Sequence, residues 1–133
     1  MKKLCFILVS FALGFNLKAQ QIQNVLNLEP DSAFQNIKIQ KISGDKNSTA
    51  FIIWIRELVR SHKHLTHSET LYVLAGEGEF FMDGKKTKIS KGDFLFIPSG
   101  IIHSLKVTSS FPMKVLSVQA PEFLGDDRIF VEE

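Results

Sequence analysis

Histidine is the residue type most able to do chemistry in this sequence, and all four histidines lie within 42 residues of one another. They are His62, His64, His67 and His103. His62 and His64 stand two residues apart, so a β-strand would place both imidazoles on one face. Glu69 follows at the start of the next apolar run, where a tight connection would return its carboxylate to this pair. The spacing therefore predicts two imidazoles and a carboxylate at one point.

The approach to His103 is the second informative spacing. Gly92, Pro98 and Gly100 precede it in the order Gly-x5-Pro-x-Gly-x2-His, which predicts a bent strand that aims this imidazole at the same point. Three neutral imidazoles and one carboxylate inside a barrel are ligands for a divalent transition metal. Iron, manganese, zinc, nickel and copper all accept such a set, so the identity of the metal stays open. Four protein ligands leave coordination positions for water, substrate or dioxygen.

Two further residues are candidates for proton transfer. His67 lies in the connection between His64 and Glu69, where it would either assist a ligand, act as a proton shuttle, or lie in solvent. The solvated position is favoured because a loop fixes the direction of a side chain poorly. Tyr72, in the apolar run after Glu69, is the other candidate beside metal-bound water.

Arginines and aromatic residues are the remaining candidates. Arg56 and Arg60 flank a predicted strand and would reach an acidic substrate at the mouth of a barrel, although such arginines are more often surface charges. Five aromatic residues are candidates to line a cavity, and for most of them packing in the core is the favoured interpretation: Trp54, Tyr72, Phe80, Phe94 and Phe96.

The elements that must position these residues read as short β-strands. Runs rich in β-branched and aromatic residues recur with period-two alternation, and each ends at Gly, Pro, Asp or Asn. Asp83-Gly84 predicts a two-residue hairpin turn, since both of its positions need positive φ. Only residues 29–34 suggest a short helical turn. Eight or so strands in about 110 residues predict an all-β domain, an antiparallel sandwich or a small barrel. The runs are residues 37–40, 50–56, 70–74, 79–82, 85–89, 93–97, 103–107 and 113–118.

The first 19 residues have the pattern of a secretory signal peptide. Two lysines precede an apolar run at residues 4–15, and we place cleavage after Ala19. A membrane anchor would need about 20 apolar residues. The single cysteine, Cys5, lies in this leader, so the mature chain would have neither disulfides nor thiol ligands. We expect a periplasmic or secreted protein with an N-terminal arm at 20–36 and one β-barrel domain at 37–133.

The charge balance changes once the leader is removed. The full chain has 16 basic and 14 acidic residues and a formal charge of +2. Three of the lysines lie in the leader, which leaves 13 basic and 14 acidic residues in the mature chain. A near-neutral protein without a helix-turn-helix pattern gives no reason to expect nucleic acid or, after cleavage, a membrane as partner. A small molecule is the expected partner.

Two motifs together resemble those of the cupin family. The first reads His-x-His-x4-Glu-x6-Gly over residues 62–76, and the second reads Gly-x5-Pro-x-Gly-x2-His over residues 92–103. Arg56 stands where the family's first motif opens with glycine, and Val107 stands where its second motif closes with asparagine. The four candidate ligands are all present. The resemblance extends from about residue 51 to residue 118.

The resemblance to cupins implies a fold, a site and a range of functions. The fold would be a single-domain, double-sheet jelly roll, and the divalent metal would be held by His62, His64, Glu69 and His103. The function would be that of a metalloenzyme, of the dioxygenase or oxidase type or the sugar isomerase or epimerase type. The alternative is a module that binds a metal or small molecule without turnover. Cupins commonly form homodimers, and residues 20–28 are the candidate segment for exchange between copies.

Overall fold

Two antiparallel sheets make up the fold in the computed structural model, which describes residues 22–132. The predicted leader therefore lies outside the described residues. One sheet, here the first sheet, has the strand order β1-β2-β9-β4-β7, and the second sheet has the order β10-β3-β8-β5-β6. This confirms the predicted all-β, double-sheet jelly roll. The strands are β1 (Ile37–Asp45), β2 (Ser48–Ile55), β3 (Leu58–His64), β4 (Ser68–Ala75), β5 (Glu77–Met82), β6 (Lys85–Ser90), β7 (Phe94–Ile97), β8 (His103–Val107), β9 (Met113–Ala120) and β10 (Arg128–Phe130).

The core lies between the two sheets and is built from the inward positions of alternating strands. Strand β2 is an exception, because its last five residues are all buried. Ile53 and Ile55 point into the core between the sheets, whereas Ile52 and Trp54 point to the outer face of the first sheet. A strand buried on both faces needs a second cover, and here the N-terminal segment provides it.

Residues 22–36 lie across the outer face of the first sheet. Val25, Leu28 and Phe34 pack against a cluster that contains Ile52 and Trp54. The ammonium group of Lys114 holds this arm, because it donates hydrogen bonds to the carbonyls of Leu26 (3.0 Å) and Leu28 (2.6 Å). Burial lowers the pKa of Lys114. The arm thus lies on its own sheet, and its exchange with a second copy remains a prediction.

Local turn chemistry was predicted correctly at one place and wrongly at another. Asp83 and Gly84 have φ values of 49° and 74°, as the hairpin prediction requires. The helical turn predicted at residues 29–34 does not form, because Asp31 makes an ion pair with Lys38 (2.6 Å) while Phe34 extends into the outer cluster. A single 3-10 turn, Val25–Asn27, is the only helix in the described part of the chain. No helix within residues 22–132 is long and apolar enough to cross a membrane.

Strand β7 is an edge strand of the first sheet, and its outward residues face solvent. Phe94 is 67% exposed and Phe96 is 54% exposed. Core packing was the wrong prediction for both, because the alternation of β7 buries Leu95 and Ile97 instead. Trp54 packs under the arm, and Phe80 is buried between the sheets.

Candidate metal centre

The four predicted ligands meet between the sheets. His62 and His64 lie on β3, and His103 lies on β8 directly opposite His62 in the register of the second sheet. Glu69 lies on β4 of the first sheet and faces them, with its Oε2 3.7 Å from His64 Nε2 and 3.5 Å from His103 Nε2. One ring nitrogen from each of the three histidines lies within 4.8 Å of the others. All four side chains are buried.

The backbone orients two of the imidazoles. His62 Nδ1 lies 2.8 Å from the carbonyl oxygen of Arg60, and His103 Nδ1 lies 3.0 Å from that of Ile101. Because a carbonyl oxygen only accepts, each Nδ1 carries a proton, and a ring that is neutral then has its lone pair on Nε2. Burial, and then the neighbouring His103, lower the pKa of His62 to about 4. This imidazole is therefore neutral at pH 7 and able to bind a metal.

Three histidine nitrogens in the cluster of His62, His64, Glu69 and His103 indicate whether the cluster suits a metal ion. Both nitrogens of His64 and Nε2 of His103 are buried without a hydrogen-bond partner. A buried polar atom without a partner costs about 1–3 kcal/mol. A cation bound by these lone pairs and by the facing carboxylate of Glu69 would remove that cost, so the donor set fits a divalent transition metal. The structure thus contains a histidine cluster able to hold a metal.

Two residues of β9 hold the carboxylate of Glu69, and the sequence reasoning did not identify them. Ser117 Oγ and Gln119 Nε2 donate to Glu69 Oε1, at 2.5 and 3.2 Å, which leaves Oε2 facing the imidazoles. Burial raises the pKa of Glu69, but the adjacent imidazoles of His103 and His64 and the bond from Ser117 outweigh it and lower the pKa below its usual value. The signal in the sequence is a pair of polar residues, Ser117 and Gln119, two apart in a largely apolar run and therefore on one face of a strand.

His67 is not solvated, so that prediction was wrong. It is 3% exposed, and its Nδ1 bonds to the carboxylate of Asp127 while Nε2 donates to the carbonyl oxygen of Glu122 (2.8 Å). Burial alone would lower the pKa of His67, but these two bonds raise it. Both nitrogens face acceptors, which favours the imidazolium form of His67. In that form the ring has no lone pair with which to bind a metal or accept a proton.

Asp127 joins the C-terminal segment to the turn that follows His64. Its carboxylate accepts from the backbone N–H of Leu65, Thr66 and His67 and from the Thr66 hydroxyl, in addition to His67 Nδ1. Burial raises the pKa of Asp127, but the bonds from His67 and Thr66 outweigh it and lower the pKa to about 2. Oδ2 also lies 3.7 Å from His64 Nδ1. No local sequence signal indicated this role.

Tyr72 lies on the other side of its strand from the candidate centre. It is 42% exposed on the outer face of the first sheet. Successive residues of a strand alternate between faces, so Tyr72, three residues after Glu69, points the opposite way. The prediction of Tyr72 as a proton-transfer residue was therefore wrong.

A small cavity of about 50 Å³ adjoins His62, Glu69 and His103. Arg128, from β10, is the other charged residue in its wall. Arg56 and Arg60 do not line it, because the first stacks over the Phe34 ring and the second over the Phe130 ring, both at 4.7 Å. Most of the wall is apolar and includes Ile53, Ile55, Leu71, Val73, Phe80 and Leu105.

Comparison with known proteins gives this site a family context. An uncharacterized protein of Aquifex aeolicus is 32% identical over 104 residues, which cover 78% of this chain and 85% of that protein. The oxalate-binding protein of Thermotoga maritima is 40% identical over 57 residues, which cover 43% of this chain and 47% of that protein.

A solved structure and a family match complete the comparison. A Klebsiella pneumoniae protein with a double-stranded β-helix domain superimposes with a TM-score of 0.72, at 18% identity, over 86% of this chain and all of that one. Likeness at this identity shows the fold alone. Residues 52–119, which contain all four candidate ligands, match the cupin domain. The chain belongs to the cupin family.

Proposed function

We propose that this protein is a metal-dependent cupin that acts on a small molecule in the cavity beside His62, Glu69 and His103. The observation that supports it most strongly is the set of buried histidine nitrogens without partners, opposite an ionised carboxylate. His62, His64, Glu69 and His103 would hold the metal. When bound, a divalent transition metal supplies a Lewis acid or, for a redox-active ion, a means of activating dioxygen.

The cavity favours oxidation over isomerisation or epimerisation. Those two reactions move a proton to and from carbon, and a positioned side chain normally does this. Among the described residues that line the cavity, the titratable groups are the candidate ligands and Arg128, and an arginine stays protonated. His67 has no free lone pair and Tyr72 faces outward. An oxidase or dioxygenase reaction asks less of the protein, because the side chains need only hold the metal, position the substrate and exclude water.

A binding module without turnover is the second candidate. The likeness to the oxalate-binding protein of T. maritima favours it, since that protein is named for binding a small dicarboxylate. The cavity beside the candidate ligands has a volume of about 50 Å³, which favours a small ligand.

The first experiment measures metal content. Protein purified without chelator should contain about one transition-metal ion per chain, and the His62→Ala/His64→Ala variant should contain almost none. Lys63→Ala is the matched control, because Lys63 lies between the two ligands on the opposite face of β3. Equal metal content in the wild type and the double variant would contradict the proposal.

The second experiment distinguishes the two candidates. Oxygen uptake and product formation are followed for each metal form with phenolic, keto-acid and sugar substrates. Oxygen uptake that disappears in the His62→Ala/His64→Ala variant supports the oxidase or dioxygenase. Saturable binding without turnover for every metal form supports the binding module.

We also propose that the chain is exported and its leader removed. The basic start, the apolar run and Ala19 support this. Mass spectrometry of the exported protein should find an N-terminus near Gln20. Intact Met1 in the membrane fraction would contradict it.

We propose a homodimer as well. The exposed aromatic residues Phe94 and Phe96 on the edge strand β7, and Tyr72 on the neighbouring strand β4, support this, because exposed apolar groups at a sheet edge favour association. Sedimentation of the mature protein should give a mass of two chains, and a single-chain mass would contradict it.

A further inference from the structure

Arg128 contributes a positive charge to the wall of the cavity beside the candidate metal centre, and it is not one of the candidate ligands. Strand β10 pairs with β3 so that Arg128 lies opposite His64 and Phe130 lies opposite His62. Residues directly opposite each other in an antiparallel pair share a face. Arg128 therefore faces the interior, and it lines the same cavity as His62 and Glu69.

The Nε–H of the Arg128 guanidinium lacks a partner. Its Nε is buried and has no hydrogen bond, and it forms no ion pair with an acidic side chain of residues 22–132. Asp127, the acidic residue next to Arg128 in the sequence, accepts hydrogen bonds from the turn after His64. Glu69, the acidic residue in the cavity wall, accepts a hydrogen bond from Ser117. A buried donor on a permanently charged group is costly unless an acceptor reaches it.

The shape and charge of the cavity indicate which acceptor fits. A planar guanidinium binds a carboxylate through two parallel hydrogen bonds. Besides Arg128, the polar side chains in the wall are those of His62, Glu69, His103 and Ser104, and the other lining residues are apolar. A volume of about 50 Å³ holds about three to five waters at 10–15 Å³ each, which limits the ligand to a few heavy atoms.

We propose that Arg128 binds the carboxylate of a small anionic substrate or ligand, with the size of formate or acetate. This inference rests on the proposed function, because it places the carboxylate in the cavity that adjoins the candidate metal ligands. It names the chemical class of the molecule that either the enzyme or the binding module would accept. Arg128 is thus a specificity-determining residue and takes the part that the sequence had suggested for Arg56 and Arg60.

The test measures carboxylate binding by calorimetry to the zinc-loaded protein. Acetate is the probe, and acetamide is the neutral control of the same shape. Arg128→Gln should weaken acetate binding at least tenfold with unchanged zinc content and should leave acetamide unaffected. Arg60→Gln, a matched arginine on the outside of the cavity, should bind acetate like the wild type. Acetate affinity within twofold of the wild type in Arg128→Gln would overturn the proposal.

A second measurement needs no variant and separates this inference from the proposed function. In ¹⁵N-labelled wild-type protein, the assigned Arg128 Nε–H resonance is followed during acetate titration, with and without zinc. A saturable shift in the metal-free protein supports the role of Arg128 even if the protein takes up no metal, in which case the proposed function alone fails. A resonance that does not move at high acetate in either form overturns the inference even if the metal binds.

Discussion

Replacement of Asp127 by asparagine tests how the candidate centre is held in place. One carboxylate oxygen accepts from the N–H groups of Leu65 and Thr66 and from the Thr66 hydroxyl, at 2.9–3.1 Å. The other accepts from the N–H and ring Nδ1–H of His67. In the variant Asp127→Asn, the amide oxygen can keep the first group of bonds. The amide NH₂ would then face two donors of His67.

The size of the effect follows from breaking a buried ion pair. Removal of one partner of such a pair typically costs about 3–5 kcal/mol. His67 limits the loss, since it can release its Nδ1 proton and accept from the new NH₂ group. We therefore expect a loss of about 3 kcal/mol at pH 5, where His67 retains its proton, and a smaller loss at pH 8. The free energy of unfolding that His67 contributes in the wild type is fully present below its ordinary pKa of 6.5 and is lost as pH rises through its raised pKa.

Urea unfolding at both pH values measures this loss. At a slope of about 2 kcal/mol per M, 3 kcal/mol lowers the midpoint by about 1.5 M. Asp126→Asn, the exposed neighbour, is the control and should stay within about 0.5 kcal/mol of the wild type. The reasoning is refuted if Asp127→Asn lies within about 1 kcal/mol of the wild type at pH 5, or if its loss is greater at pH 8.

Three further predictions concern acid stability, the metal and the arm. The stability that Asp127 contributes is present above its ordinary pKa of 3.8 and lost as pH falls through about 2, so unfolding below pH 4 should be steeper in the wild type than in Asp127→Asn. Ser117→Ala frees an oxygen of Glu69 and should weaken metal binding about 10–100-fold in chelator competition, whereas Val118→Ala, on the opposite face, should not. Lys114→Met removes both bonds to the arm and should speed proteolysis within residues 22–28, whereas the exposed variant Lys106→Met should not, and equal cleavage rates would contradict the role of Lys114.

The sequence was most informative where structure depends on near neighbours. Asp83-Gly84 predicted its turn because positive φ is a property of two residues alone. His62 and His64 were assigned to one face from the strand period, and the same rule would have placed Tyr72 on the face away from Glu69.

The other wrong predictions concern residues whose surroundings are set by strands far away in the sequence. His67 is buried by Asp127, which is 60 residues away, and the two meet because three-residue β10 pairs with β3. Nothing near His67 indicates that contact. Phe94 and Phe96 are of a residue type common in cores, but the alternation of β7 turns them outward and the edge position of β7 leaves them exposed. No motif indicates Arg128, because β10 lies outside residues 62–76 and 92–103 and meets β3 only through the sheet.

The division of the ligands between the two sheets has a mechanical consequence. Three imidazoles belong to the second sheet, and the carboxylate of Glu69 belongs to the first. A metal ion held by the three histidines and Glu69 would be bonded to both sheets and would act as a removable cross-link between them. Its departure would then require the sheets to separate locally, so the rate of metal release would report how often this barrel opens.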